Sequence, residues 1–218
     1  SWDEALDTIA EQILTYKEKH GPESVVFGYG TGRENEAVIY RIANILGSPN
    51  VLTAGHFCYG PRISTSIITC GTNPIADYEN FPKCIMMWGN NVTISNPDEY
   101  KGEPFSVALD KGAKLIVVDP RLTRPAARAH VWLQLRPGTD AALALGMLNV
   151  IVNEGLYDKE FVEKYTHGWE PFIKRVNEYS LDRVEEITWV PKEKIREAAR
   201  LFATTKPAAI QWGVAIEQ

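Results

Sequence analysis

The feature that most constrains the fold is a pair of short apolar runs that end at turn-forming residues. KCIMMWGNN, residues 83–91, is apolar up to Gly89, and AKLIVVDPR, residues 113–121, is apolar up to Asp119. Uninterrupted apolar runs of this length predict strands that are buried on both faces. Because helical patterns separate the strands, the sequence predicts an α/β fold: a Rossmann-like, three-layer αβα arrangement around a mostly parallel sheet.

Further segments fit this alternation of strand and helix. Strands are predicted at SVVFGYG, HVWLQL and AAIQWGVAIEQ. Apolar residues spaced three and four apart predict helices over residues 2–20, 36–46, 140–154, 158–165, 169–179 and 191–204. Ser1 and Glu4 have the spacing of a capping box at the start of the first helix. The pattern loosens from Cys58 through SIITCGTNP, where no regular element is predicted.

Charge and hydropathy exclude several classes of protein. The 218 residues carry 23 Lys and Arg against 28 Asp and Glu, and no long basic run, so no nucleic-acid partner is predicted. No apolar run approaches the roughly 20 residues that span a bilayer. The N-terminus, SWDEALD, has acids where a secretory signal has lysines. The sequence as given therefore predicts neither membrane insertion nor export by its own signal.

Polar and turn-forming residues follow three of the predicted strands: Gly89, Asn90 and Asn91; Asp119, Pro120 and Arg121; and Gly138, Thr139 and Asp140. In a parallel sheet these positions lie at the carboxyl edge, where ligands bind. A glycine lets the backbone approach a diphosphate, an acid accepts from ribose hydroxyls or a guanine edge, and a helix start offers amide donors. The pattern favours a nucleotide site, with ordinary turn and capping roles as the alternative.

Cys58 stands apart from the other two cysteines, Cys70 and Cys84. An odd number of cysteines without close spacing fits neither a disulfide framework nor a CxxC metal site, and it favours a reducing setting. Cys58 lies in AGHFCYGPR, residues 54–62, which reads as a loop. A thiolate exposed in such a loop could bind a soft metal, whereas a free cysteine can also be a small buried apolar residue.

Taken together, the segments resemble the molybdopterin oxidoreductases of the dimethyl sulfoxide reductase superfamily. In chain order the resemblance is carried by SWDEALD, ANILGSPN, a Cys in a GP-containing loop, MWGNN, VVDPRLT, LRPGTDAALALGMLNVIVNEGLYDKEFV, GWEPF and IREAARLFA. It implies an internal fragment of a large catalytic subunit that holds molybdenum or tungsten between two molybdopterin guanine dinucleotides. Residues 1–57 would form the first β-α part of one Rossmann-like domain, and residues 58–218 a second, pterin-dinucleotide-binding domain.

The resemblance also implies roles for single residues. Cys58 matches the protein ligand of molybdenum or tungsten, and its neighbours His56 and Tyr59 are the other candidate catalytic residues. The candidate cofactor-binding residues are Gly89, Asn90, Asn91, Asp119, Pro120, Arg121, Gly138, Thr139, Asp140 and Gly213. Formate dehydrogenases of this superfamily have a histidine directly after the ligand, where this chain has Tyr59, and this departure disfavours formate oxidation.

The implied activity is a two-electron transfer, of an oxygen atom or a hydride equivalent, to or from a small-molecule substrate. The implied partner is an iron-sulfur electron-transfer subunit, and a 4Fe-4S cluster is expected only in a segment N-terminal to this chain, which would be inactive alone. Two alternatives stay open: a metal-free binding or scaffold module derived from the family, and a non-redox hydratase or transhydroxylase. The compartment is open between the cytoplasm and the periplasm of a bacterium or archaeon.

Overall fold

Two parallel sheets organise the chain. The structure, a computed structural model, describes residues 1–31, 34–95 and 102–216. The side chains left out of this description are those of Ala54, Phe57, Tyr59 and Val214. The described residues form two compact units, 1–73 and 74–216, with one sheet each. The domain boundary predicted between residues 57 and 58 stays a prediction.

The first unit alternates helices with two short strands. Its elements are α1 (Trp2–His20), a 3₁₀ turn (Pro22–Ser24), β1 (Phe27–Tyr29), α2 (Glu36–Leu46), β2 (Val51–Thr53), α3 (Ala54–Phe57) and α4 (Tyr59–Cys70). The predicted capping box is confirmed, since Ser1 Oγ accepts from the Glu4 N–H at 3.1 Å. β1 and β2 pair in parallel. β1 is shorter than the predicted run of residues 24–30: Ser24 belongs to the 3₁₀ turn, and residues 25, 26 and 30 lie outside the strand.

Helix α4 corrects the prediction of no regular element after Cys58. Gly60 and Pro61 both lie in the first turn of α4. The first residues of a helix have no intrahelical partner for their N–H groups, so a proline there removes no hydrogen bond. The helix ends at Gly71, whose left-handed φ of 73° suits a glycine.

The second unit carries the larger sheet. Its elements are β3 (Cys84–Trp88), α5 (Val92–Ser95), α6 (Gly102–Asp110), β4 (Lys114–Val118), α7 (Arg124–Ala127), β5 (Val131–Leu133), α8 (Asp140–Asn153), α9 (Lys159–Tyr165), α10 (Trp169–Asn177), α11 (Leu181–Thr188), α12 (Lys192–Thr204), β6 (Ala208–Trp212) and a 3₁₀ turn (Val214–Ile216). The strand order is β5-β4-β3-β6, and all pairs are parallel. Residues 217 and 218 of the last predicted strand lie outside the described residues.

Apolar side chains leave both faces of this sheet, as predicted for its central strands. On one face Met86, Ile116 and Leu133 pack against residues of α8, α11 and α12, among them Leu143 and Ile195. On the other face a second cluster joins the sheet to α6 and α7; its members include Ile85, Met87, Leu115, Val117, Phe105 and Ala126. The predicted three-layer αβα fold with a mostly parallel sheet is thereby confirmed.

Helix α11 is absent from the sequence prediction. Only a short stripe, Leu181, Val184 and Thr188, marks its inner side, and Ser180 caps it by accepting from the Arg183 N–H. Its packing against α8 is tight, because a Cβ on Gly146 would lie 2.8 Å from Val184 Cγ1. Tertiary packing therefore fixes a helix that its own pattern marks only weakly.

Candidate cofactor-binding site

The strand register of the second unit brings the predicted polar segments to one edge. Trp88 pairs with both Val118 and Trp212, and Val118 pairs with Leu133. The last residues of all four strands therefore lie side by side. The segments that follow them contain all ten candidate cofactor-binding residues, which leave the sheet at its carboxyl edge, where ligands of α/β proteins bind.

Gly89 and Gly213 join the ends of β3, β4 and β6. The Gly89 N–H donates to Val118 O at 2.9 Å, and the Gly213 N–H donates to Trp88 O at 3.1 Å. A Cβ on Gly213 would lie 2.6 Å from Gly89 O, and one on Gly89 would lie 2.9 Å from the Ala215 Cβ. Neither position accepts a side chain, so both glycines are required by packing alone.

Asn90 carries the most informative atom of this edge. Its Nδ2 donates to Trp212 O at 3.0 Å. Its Oδ1 is buried and accepts no hydrogen bond from any described residue. Burying an acceptor without a partner costs about 1–3 kcal/mol, so a donor supplied by a ligand would be stabilising here.

Asn91 is occupied locally. Its Oδ1 accepts from Thr93 Oγ1 at 2.7 Å, and its main-chain oxygen accepts from the Ile94 and Ser95 N–H groups. These bonds start the short helix α5. The turn-and-capping alternative therefore describes the Asn91 oxygens well, while Asn90 keeps an acceptor for a ligand.

The Asp119–Arg121 loop is fixed by side chains of β5 and the residues after it. The buried Asp119 accepts from the Arg121 N–H at 2.8 Å, and its main-chain oxygen accepts from Trp132 Nε1 at 2.9 Å. Pro120 O accepts from Gln134 Nε2 at 3.1 Å. The sequence analysis missed Trp132 and Gln134. In HVWLQL these two residues alternate with buried apolar residues, and this alternation could have indicated that their side chains lie on the other face of the strand.

The third segment is tied to the first by one long-range hydrogen bond. Trp88 Nε1, at the end of β3, donates to Asp140 Oδ1 at 2.8 Å, at the start of α8. Gly138 has a φ of 80°, which suits a glycine, and Thr139 Oγ1 donates to Arg136 O at 2.6 Å to close the turn. An acid at a helix N-terminus is favoured by the helix dipole. Together these bonds fix the turn and join it to the end of β3.

Cys58 belongs to the first unit, where it joins α3 to α4 and is half-buried. A Cβ on Gly60 would collide with Gly55 O, so the turn around Cys58 tolerates only glycine at that position. The other two cysteines differ in environment. Cys70 is exposed, and burial raises the pKa of the Cys84 thiol to about 11, which keeps that residue a neutral thiol.

His56 also takes part in local hydrogen bonds. The Thr53 N–H donates to His56 Nδ1 at 3.1 Å, which closes the turn between β2 and α3. This contact gives Nδ1 of His56 a local structural role where β2 meets α3. Tyr59 is the first residue of α4, and its side chain is outside the described part of the structure.

Comparison with known proteins decides the family. The family model for molybdopterin oxidoreductases matches residues 1–218, the whole chain. The chain belongs to this family. The resemblance to the dimethyl sulfoxide reductase superfamily is thus confirmed, and membership implies a molybdopterin cofactor with molybdenum or tungsten.

Individual molybdopterin enzymes are similar over the same length. Acetylene hydratase of Syntrophotalea acetylenica is 44% identical over 221 residues, which are 100% of this chain and 30% of that protein. Formate dehydrogenase H of Escherichia coli is 36% identical over 100% of this chain and 31% of its own length. The solved structure of acetylene hydratase from Pelobacter acetylenicus matches with a TM-score of 0.76 and 43% identity, over 100% of this chain and 30% of that one. The chain thus spans about a third of the length of these relatives.

The donor set of this molybdopterin-family chain fits a nucleotide better than a bare metal ion. The carboxyl edge of the second unit combines an unsatisfied buried acceptor, an acid at a helix start and exposed Arg121. In the described part of the chain, no group of three or more His, Cys, Asp or Glu side chains converges as a metal site. A metal bound through Cys58 would therefore take its remaining ligands from the cofactor or from outside these residues. None of the helices among these described residues combines the length and the apolar composition of a membrane span.

Proposed function

We propose that this chain is part of the catalytic subunit of a molybdenum or tungsten enzyme. Its second unit binds the guanine dinucleotide portion of the molybdopterin cofactor at the carboxyl edge of the sheet, and the Cys58 thiolate of the first unit is the protein ligand of the metal. The observation that carries the proposal is the buried Asn90 Oδ1, an acceptor that lacks a partner among the described residues at an edge formed by four strand ends.

Each polar group of the edge has a complementary group on such a nucleotide. Asn90 Oδ1 accepts a hydrogen bond from the ligand, and Asp140, oriented by Trp88 through Oδ1, accepts through its second oxygen from a guanine or ribose donor. The amide groups of Gly138 and Thr139 at the start of α8 favour the diphosphate. Arg121, exposed after the Asp119 turn, adds a positive charge for the same group.

Cys58 suits the metal because soft thiolate donors stabilise molybdenum and tungsten in several oxidation states. When bound, the pterin-metal group supplies a centre that exchanges two electrons with a small-molecule substrate. Around it, this chain contributes candidate proton-transfer groups on both sides of Cys58. His56, whose Nδ1 accepts from the Thr53 N–H, is the first candidate. Tyr59 is the second candidate. An electron-transfer subunit carrying iron-sulfur clusters is the proposed partner.

A second candidate function, non-redox hydration, is favoured by one specific observation. The 44% identity to acetylene hydratase exceeds the 36% identity to formate dehydrogenase H over the same residues. Tyr59, in place of the histidine of formate dehydrogenases, points the same way. In this variant of the proposal the cofactor and Cys58 keep their places, no electron-transfer subunit is needed, and the substrate class is a small unsaturated molecule such as acetylene.

The test is metal content and turnover of the full-length protein purified without oxygen. We expect near one molybdenum or tungsten per chain, lost in Cys58→Ala and retained in the matched control Cys70→Ala, which removes the exposed cysteine at the C-terminal end of α4. Formation of acetaldehyde from acetylene without an added electron acceptor would select hydration. Dye-linked oxidation or reduction of a substrate would select two-electron transfer. A folded full-length protein without metal would contradict the proposal and favour the metal-free binding module.

A further inference from the structure

We propose that Arg136 binds a phosphate group of the nucleotide and that Trp189 is the residue that positions it. The inference rests on the proposed function, because it assigns two further residues to the nucleotide site of the second unit. Neither residue belongs to the ten candidate cofactor-binding residues. Trp189 follows α11 directly, and Arg136 precedes the Gly138 turn that opens α8.

The conformation of Trp189 is unusual for an aromatic residue. Its φ is 63°, in the left-handed region, at the C-terminal end of α11, where glycine is the usual residue. Its side chain is 67% exposed. The local backbone therefore favours glycine, and core burial does not account for the indole. Within the described residues, the indole makes one ring contact.

That contact is with Arg136. The guanidinium carbon lies 5.1 Å from the centre of the Trp189 ring, within the range of a cation–π interaction. The backbones are joined as well, since the Arg136 N–H donates to Thr188 O at 2.8 Å. Thr188 is fully buried, and its Oγ1 donates to Val184 O and accepts from the Val190 N–H. A rigid turn therefore holds the ring against the guanidinium.

The guanidinium group of Arg136 makes no ion pair and no hydrogen bond with the described residues of the second unit. Two other arginines that lie over a ring differ in this respect. Arg175 and Arg183 both lie over Tyr179, and each donates to Glu178. Arg136 alone of these three keeps its N–H fork for an external anion.

The position of Arg136 identifies the anion. Its main-chain oxygen accepts from Thr139 Oγ1, so Arg136 is part of the turn that presents the Gly138 and Thr139 amides at the start of α8. A guanidinium fork matches two oxygens of a phosphate, and helix N-terminal amides favour the same group. Stacking on Trp189 limits the rotamers of Arg136 in advance, which lowers the entropy lost on binding.

The experiment compares guanosine diphosphate with guanosine as ligands of full-length protein produced in cells that cannot make molybdopterin. Isothermal titration gives both dissociation constants for each variant. We expect Arg136→Gln to weaken binding of the diphosphate roughly 10- to 100-fold, because a charge-assisted pair is lost. Binding of guanosine should stay unchanged. Arg183→Gln, which removes another ring-stacked arginine of this unit, is the matched control and should change neither ligand.

Trp189→Gly tests the positioning role without a folding penalty, since glycine suits a φ of 63°. We expect its resistance to urea to be unchanged or higher, its affinity for the diphosphate to fall about 3- to 10-fold, and Trp189→Phe to restore most of that affinity. An equal loss for guanosine and the diphosphate would indicate a merely structural role and overturn the inference.

The failure of the inference is distinguishable from failure of the proposed function. If Asp140→Asn weakens guanosine and diphosphate binding while Arg136→Gln changes neither, the nucleotide site stands and the inference is wrong. If wild-type protein binds neither ligand at millimolar concentration, the nucleotide site itself is contradicted and the inference falls with it.

Discussion

The two units of this chain differ in how much of their apolar surface they bury. Every residue of β3 is buried in the second unit, and two clusters of apolar side chains cover both faces of its sheet. In the first unit, among residues whose burial is described, only Ala43 and Ser48 are buried. Helix α1 buries none of its 19 residues, although Leu6, Ile9 and Leu14 form an apolar stripe.

This difference shows that regular secondary structure and a stable core are separate properties. α1 has a complete capping box and the helical period, yet helices of this length gain most of their stability from packing. The second unit supplies that packing from its own residues. The first unit exposes large apolar side chains, and exposed apolar patches mark interaction surfaces or aggregation sites.

The largest effect is expected when the units are separated. A protein of residues 74–218 should unfold cooperatively in urea, because its core is internal to it. A protein of residues 1–73 should show little dispersion in its amide proton spectrum and no cooperative transition. A cooperative transition in the shorter protein would show that the first unit is stable on its own despite its few buried residues.

Leucine truncations should differ sharply between the units. Leu143 is fully buried in the second unit, so Leu143→Ala should lower the free energy of unfolding by about 2–5 kcal/mol. Leu14 is 52% exposed on α1, and Leu14→Ala should change it by less than about 0.5 kcal/mol. Urea unfolding of the 218-residue chain measures both. A larger cost of Leu14→Ala in the full-length protein than in this chain would show that α1 is covered there.

Each unit has one buried hydroxyl with the same pattern of hydrogen bonds, so the two residues can be compared directly. Ser48 Oγ donates to Val25 O at 2.5 Å and accepts from the Asn50 N–H. Thr188 Oγ1 donates to Val184 O at 2.7 Å and accepts from the Val190 N–H. Ser48→Ala and Thr188→Val should each cost about 1–2 kcal/mol.

The same loss of stability should affect the protease resistance of the two units differently. Limited proteolysis should cleave the first unit faster in Ser48→Ala, while Thr188→Val stays resistant because its unit has stability in reserve. Equal resistance of the two variants would argue that the units are equally stable.

The smallest effect concerns an exposed ion pair of the second unit. Hydrogen bonds from Arg200, at 2.7 and 3.0 Å, lower the pKa of Glu154. The stabilisation is therefore present above the ordinary pKa of a glutamate and is lost as the pH falls through the lowered value. Glu154→Gln should flatten slightly the acid dependence of stability between pH 5 and about 3. An acid dependence that is unchanged in Glu154→Gln would contradict this prediction.

Much of this architecture could be predicted from the sequence, because local patterns determine it. The apolar runs around Met86 and Ile116 predict a buried parallel sheet. Parallel pairing places the carboxyl ends of the strands at one edge of the sheet, independently of the conformations of the loops. α4 was missed because Gly60 and Pro61 have different consequences inside a helix and in its first turn.

The site was predicted less completely than the fold. The hydrogen bond from Trp88 to Asp140 and the contact of Arg136 with Trp189 join residues that are distant in the chain. Spacing in a sequence carries no information about such pairs. The unsatisfied Asn90 Oδ1 depends in addition on burial by surrounding segments, which only the assembled fold determines.

The pairing of β6 with β3 has a consequence for synthesis of the protein on the ribosome. Cys84 of the first strand of the large sheet pairs with Ala208 of its last strand. Until residues 208–212 leave the exit tunnel, one edge of β3 has no partner, and the growing chain presents an open apolar strand. Long-range parallel pairing is slow, so nascent chains that stall before Ala208 should be the species that chaperones capture and that aggregate.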